Sequence, residues 1–401
     1  MESVASNSED RLINPENYVG REQALVKHTF LSRYLRDGLP KLSRFGSFAY
    51  IDLFAGPWEE RADDCSDTSF GIALRRMREA KRQQQAIGRD VRMVAHLVSY
   101  ERHRDLLAAV APFRSDLEII CYQGKAEDHC DAISAAIRQL GFRFVMFDPK
   151  GLPNVKDFEG LLKQKNTEFL FNFMFQFANR FLDRMPALES WLGKLEGEEN
   201  WLAEARGLSA DDRETYITNR ARTFIGRLGQ FEFAPALTVD ETGSDRALYK
   251  LIYLTRSGSG LKVFREACLA ALQMQAFTRS QIKSRRRADM TGMNDLFADE
   301  RVVDPGERSA KIVATAGVTA KARMLDLLLD AGIRGAAWVD VWKTVLDETA
   351  VTHSQLGHIA NQLRVSGQIV IPSWPNERTK IPKDHFQLFD ARSTVGTSPH
   401  M

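Results

Sequence analysis

The sequence lacks the marks of several protein classes. Its four cysteines, Cys65, Cys121, Cys130 and Cys268, share no CxxC or Cys/His ligand spacing, so reduced structural thiols are expected and neither a disulfide framework nor a metal site. No apolar run approaches the roughly 18 to 20 residues that cross a bilayer, and no membrane partner is expected. The opening MESVASNSEDRLINPEN carries acids and no basic-then-apolar order, unlike a secretory signal, which makes a cytoplasmic protein the expectation. A formal net charge of +2 excludes a generally basic nucleic-acid binder and leaves such a role to a local patch. The G-x-G-x-x-G pattern of a plain dinucleotide site does not follow the first strand. No internal repeat is present.

What is there is length and a regular alternation. At 401 residues and 44% apolar content the chain can build two or three domains with a sizeable core. After a polar tail at 1–16, REQALVKHTFLSRYLRDGLPKL places Leu25, Phe30, Leu31, Tyr34 and Leu35 near helical spacing. Strand-like FAYIDLF, RMVAHLVSYE, LEIICYQG, FRFVMFDP and EFLFNFMF then alternate with amphipathic helical stretches. Continuous apolar strands separated by helices predict a parallel sheet covered on both faces, an α/β doubly wound, Rossmann-like domain over 17–288. A charged helical insertion is expected at about 176–245, followed by a further strand, a Gly/Ser turn and a helix in ALYKLIYLTRSGSGLKVFREACLAAL. A linker is expected at 289–317. Over 318–391 three short helices and a two-stranded ribbon follow in the order of a winged helix-turn-helix domain, with a tail at 392–401.

Ligands of open α/β sheets sit beyond the carboxyl ends of the strands, where strand order reverses. Four successive strands end in acids: Asp52 before FAGPW, Glu101 in LVSYE, Glu127 and Asp128 after YQG, and Asp148 in FVMFDPKGL. Each alone is as readily a turn or helix cap; the set of four points to a cofactor or substrate cleft. Gly56 permits a close backbone approach and Pro57 stiffens the turn after Ala55. Lys27 and His28 lie on the leading helix, which can fold over the cleft; His28 is a candidate general base, and a packed histidine is its commoner fate. Asn172 interrupts an apolar strand and must be satisfied by local backbone or by facing the cleft.

These residues carry a resemblance. VKHTFLSRYLRDGLPKL, YIDLFAGPW, SYE, FVMFDPKGL, the NR of FQFANRFLDRM and LYKLIYLTRSGSGLKVFREA together resemble the three-Cys-motif partner family over residues 20 to 270, and the C-terminal part is similar to the winged-helix domain of some members. The resemblance implies a class I methyltransferase-like domain that uses S-adenosylmethionine, often encoded beside a three-Cys-motif protein that is then a candidate partner. It implies Gly56 and Pro57 at the cofactor turn, Glu101 on the ribose and Asp148 facing the acceptor; the reading of the strand ends and their turns adds Asp52, Ala55, Trp58, Glu127 and Asp128 as cofactor candidates and Lys150 and His28 as catalytic candidates. Two positions depart from the family pattern: Trp58 stands for a glycine and Lys150 for an aromatic. Trp58 therefore stacks at the cofactor's edge, turns outward with a reshaped loop, or marks a site that no longer binds cofactor in the usual way.

Lys150 offers no stacking face, and no Pro-Cys pair supplies a thiolate, so methylation at a base N6 or C5 is not indicated. The basic stretch RSQIKSRRRAD, with Arg285, Arg286 and Arg287, and the third helix of the winged module, with Gln355, His358, Asn361 and Arg364, make DNA or RNA a candidate partner. A solvated basic face and a protein-docking module are the plain alternatives. The functional expectation is a methyltransferase-like enzyme acting on a nucleic acid or a nucleic-acid-associated substrate; the alternatives are a silent scaffold docking a partner protein and a hydrolase with Asp52, Glu101 and Asp148 on a metal.

Overall fold

The computed structural model describes residues 13–56, 60–62, 64–151, 153–182, 201–291, 303–374 and 381–394. Helix α1 (Glu22–Leu42) leads into β1 (Ser47–Asp52), and α2 (Ser69–Ala86), β2 (Arg92–Ser99), α3 (His103–Val110), β3 (Glu118–Gln123), α4 (Ala126–Ile137) and β4 (Phe142–Phe147) follow. The short α5 (Glu159–Leu162), β5 (Thr167–Phe173), α6 (Phe175–Arg180), α7 (Trp201–Gly207) and α8 (Ala210–Gly229) come next. Then come β6 (Ala236–Asp240), β7 (Ala247–Leu254) and the long α9 (Gly258–Thr291).

These strands form one seven-stranded sheet in the order β3-β2-β1-β4-β5-β7-β6. β1 to β5 are parallel, while β7 runs antiparallel to both β5 and β6. The period-two alternation of strand side chains divides the core into two layers. Phe48, Tyr50, Phe144, Leu170 and Tyr253 face α1, α2 and α9, whereas Ala49, Ile51, Val145, Phe147, Phe169 and Phe171 face α4 to α8. Both faces are covered, which is why β4 and β5 are buried at every position and mostly apolar, with Arg143, Thr167, Glu168 and Asn172 as the polar exceptions. Each fully buried phenylalanine among them contributes about 1.5–3 kcal/mol. The α/β architecture and the mostly parallel sheet match the expectation and are compatible with a Rossmann-like fold.

Two boundaries differ from the reading of the sequence. The insertion expected at 176–245 contains β6, whose first four residues alternate half-buried and buried positions at the sheet's edge rather than following a helical period. The stretch expected as a linker at 289–317 already contains α10 (Arg308–Ala331), capped by the Glu307 carboxylate accepting from the Ala310 amide at 3.0 Å. Beyond it lie β8 (Ala336–Ala337), α11 (Trp338–Glu348), α12 (His353–Val365), β9 (Ile369–Val370) and β10 (Gln387–Asp390). The three short strands form a second, antiparallel sheet in the order β8-β10-β9. The polar turn of the expected ribbon, at 375–380, lies outside the described residues.

The C-terminal module sits directly on the first domain. The Arg265 guanidinium, buried in α9, donates to the carbonyls of Leu346 and Asp347, and Arg222 of α8 reaches the Asp347 carboxylate at 3.2 Å. Lys262 lies 4.0 Å over the Trp342 ring, and a Cβ at Gly258 would stand 2.5 Å from that indole, so only glycine permits this approach. Among the described residues no helix is long and apolar enough to cross a membrane.

Candidate functional site

Strand order reverses between β1 and β4, and the register pairs Asp52 with Met146, two residues before Asp148. Both acids thereby reach the same carboxyl edge, where an open sheet presents a crevice. Asp52 is 1% exposed and fully engaged. Tyr50 donates its hydroxyl to Asp52 Oδ2 at 3.1 Å, Ser69 of the first turn of α2 donates to the same oxygen at 3.0 Å, and the Phe54 amide donates to Oδ1 at 3.1 Å. Burial is the largest influence on its acidity and, with a contribution from nearby Asp148, pushes its pKa up to about 6 against these donors.

The turn after β1 is held by a residue outside the predicted set. Asp67, 1% exposed, accepts from the Arg61 amide at 2.8 Å and pairs with Arg21, whose guanidinium lies 5.1 Å from the Tyr18 ring centroid. Thr68 then caps α2 through the Gly71 amide at 3.1 Å. A Cβ on Gly71 would stand 1.9 Å from the Cys65 carbonyl oxygen, so the start of α2 closes on the loop only because that residue is glycine. CSDTSFG reads in sequence as a helix-start signal, which assigns Asp67 and Ser69 to a cap and conceals their place at the site. Ala55 is buried and Gly56 is partly exposed, while Pro57 and Trp58 lie outside the described residues.

Asp148 is bracketed from two elements. Lys27 of α1 pairs with its Oδ2, and Asn172 of β5 donates its amide nitrogen to Oδ1. The buried asparagine thus faces the cleft, and its own Oδ1 has no partner. His28, by contrast, is 4% exposed and shares Nδ1 with the Tyr18 hydroxyl at 2.9 Å. Burial, and then the charges of Lys27 and Arg21, holds its pKa well below the usual value, so it is a packed neutral histidine. The structure brings Lys27, rather than His28, against Asp148. Lys150 is exposed on the following turn.

Glu101 is exposed just beyond β2 and carries no hydrogen bond or ion pair among the described residues, with Tyr100 beside it 60% exposed. The ends of β2 and β3 are joined by the Gly124 amide donating to the Ser99 carbonyl at 3.2 Å, and the buried Ser99 hydroxyl has no partner. Glu127 and Asp128 occupy the first turn of α4, where carboxylates also complement the helix dipole.

The residues read for nucleic acid divide. Arg285, Arg286 and Arg287 are exposed near the end of α9, but Arg279 of the same stretch is 4% exposed and bound to Asp240, Asp245 and Glu307. On α12, His358 is exposed, while Gln355 closes a capping box with Thr352. Asn361 accepts from Arg364 at 3.0 Å, and Arg364 lies 5.1 Å over Trp374. Three of these four side chains therefore have partners within the module.

The chain is thus an α/β protein with a mostly parallel seven-stranded sheet, compatible with a Rossmann-like fold, that carries Asp52, Glu101 and Asp148 along one carboxyl edge. No protein-family model matches the chain, and no curated protein matches it.

Proposed function

We propose that the chain is an S-adenosylmethionine-dependent methyltransferase of the class I, Rossmann-like type with a C-terminal winged helix. It acts, on this reading, on a nucleic acid or a nucleic-acid-associated substrate, as its resemblance to three-Cys-motif partner proteins implies. The observation that carries the proposal is the sheet itself: β3-β2-β1-β4-β5-β7-β6 with β7 reversed is the strand arrangement of class I methyltransferases, and Asp52, Glu101 and Asp148 stand at the ends of β1, β2 and β4 on one edge. Helices, β8-β10-β9 and their chain order likewise agree with a winged helix.

Methyl transfer needs the acceptor held in line with the sulfonium methyl and, for a weak nucleophile, a proton acceptor. Glu101, whose carboxylate has no partner among the described residues, is suited to paired ribose hydroxyls. Asp148 and the unpartnered Asn172 Oδ1 are suited to the acceptor once Lys27 withdraws. Calorimetric titration with S-adenosylmethionine is expected to show saturable binding, weakened about tenfold or more in Glu101→Ala through loss of charge-assisted hydrogen bonds. Absence of binding by the unmodified protein would remove the methyltransferase reading.

That outcome would favour a second reading, a scaffold docking a three-Cys-motif protein. Its specific support is that Asp52 is already saturated by internal donors and Asp148 is already paired with Lys27. For the nucleic-acid arm, mobility shift with DNA and RNA at two salt concentrations is expected to show binding that weakens with salt and is reduced in Arg285→Ala/Arg286→Ala. An unchanged shift in that variant would return the basic stretch to a solvated face.

A further inference from the structure

A cavity of about 370 Å³ opens at the opposite edge of the sheet, where β4 and β5 begin and β7 ends, between α1 and the start of α9. Its size lies within the range of small-molecule sites, and its walls combine apolar surface with many polar and charged groups. Phe45, Phe142 and Val263 supply apolar surface, the two phenylalanine rings standing 5.6 Å apart between centroids. Lys41, Arg44 and Lys165 also line it, and all three are exposed.

The three cations of this lining form no ion pair among the described residues, with Lys41 in electrostatic reach of Glu266 on the neighbouring helix. Surface cations such as Arg33, Arg92 and Arg323 pair with carboxylates. Lys41, Arg44 and Lys165 pair with none among the described residues, and Arg44 lies 5.0 Å over the Phe45 ring. Arg256, also in the lining, is consumed by internal carbonyls, including those of Gln164 at 3.0 Å and Gln230 at 3.1 Å. The one lining acid, Glu168, is 4% exposed and accepts from Tyr34 and, at 2.8 Å, from Thr255. Burial raises its pKa, and its two oxygens are turned to the Tyr34 and Thr255 hydroxyls rather than to the three cations. The amide end of α9 adds partial positive charge on the same side.

We infer that this cavity is a binding site for a small aryl anion, with the ring packed against the apolar surface of Phe45, Phe142 and Val263 and the anionic group against Lys41, Arg44 and Lys165. The site stands apart from the crevice at the carboxyl edge and does not depend on the methyltransferase reading. A carboxylate and a phosphate monoester share the required chemistry. The test is calorimetric titration of the full chain with 2-naphthoate, 2-naphthyl phosphate and uncharged 2-naphthol.

Saturable one-to-one binding of at least one anion, about tenfold or more tighter than the naphthol, is expected, the better anion identifying the group. Lys41→Glu/Lys165→Glu, which alters only exposed side chains, should weaken it by about tenfold or more, because two attractions to the anion become repulsions. Val263→Trp, checked for an unchanged Tm, should abolish it by filling the space, and Arg334→Glu in the C-terminal module should leave it intact. No saturable binding, equal affinity for the naphthol, or affinity untouched by the paired charge reversal each overturns the inference.

Discussion

Arg279→Leu is expected to lower the free energy of unfolding by about 3–5 kcal/mol, measured by equilibrium urea denaturation at neutral pH. The guanidinium is 4% exposed and bridges Asp240 at the end of β6, Glu307 at the cap of α10, and Asp245 in the turn before β7. Glu307 and Asp240 are 0% and 1% exposed as side chains, so removal of Arg279 strands carboxylates in a low-dielectric interior. Arg308 also reaches Asp240 at 3.1 Å, and Lys250 and Arg308 hold Glu214, but one guanidinium cannot replace the three-way contact of the other. These three acids lie close enough to suggest a cation site by composition. Arg279 already occupies that position, which assigns the cluster a structural role. Arg279→Lys should cost less than the leucine, because the charge survives while the planar fork is lost. A loss below about 1 kcal/mol for Arg279→Leu would mean that water or Arg308 compensates the stranded acids.

The same residue shows why some of the molecule was legible in the sequence and some was not. The parallel sheet announced itself, because strands covered on both faces carry near-continuous apolar runs, as β1 to β5 largely do. The crevice acids could be placed because a strand end is a one-dimensional feature. What escaped depends on contacts between distant segments. Arg279 reads as one more cation in RSQIKSRRRAD, yet its neighbours are 28 to 39 residues away, and burial makes it different from Arg285, Arg286 and Arg287. β6 was hidden in a charged helical stretch because an edge strand half-faces solvent and carries a weaker apolar signal. Lys27 and His28 are adjacent in sequence on α1, and only the helix's rotation against the sheet sends the lysine to Asp148 and the histidine to Tyr18.

Asp52→Asn is expected to stabilise the folded protein above pH 6 by about 2–3 kcal/mol and to leave it nearly unchanged at about pH 4. Burial raises the folded-state pKa of Asp52 from 3.8 to about 6, so the native state holds the proton more tightly than the unfolded chain. The stability this gives is fully present below about pH 4 and is lost as pH rises through about 6, at about 1.4 kcal/mol for each pH unit separating the folded and unfolded values. Asparagine does not ionise. Its carbonyl can accept from the Phe54 amide, and the Tyr50 and Ser69 hydroxyls can turn to accept from its amide nitrogen. Asp240, also pushed up to about 6 by burial, titrates in the same window, so the pH slope should shrink in the variant without vanishing. Unfolding curves at pH 4, 6 and 8 measure the difference; a constant offset across the three would rule out ionisation of Asp52 as its source. On the proposed reading the crevice receives a ligand bearing a sulfonium and an ammonium, and an ionised Asp52 favours such a cation. The same substitution should then weaken S-adenosylmethionine binding while it stabilises the fold, a carboxylate kept at a cost in stability because the ligand needs its charge.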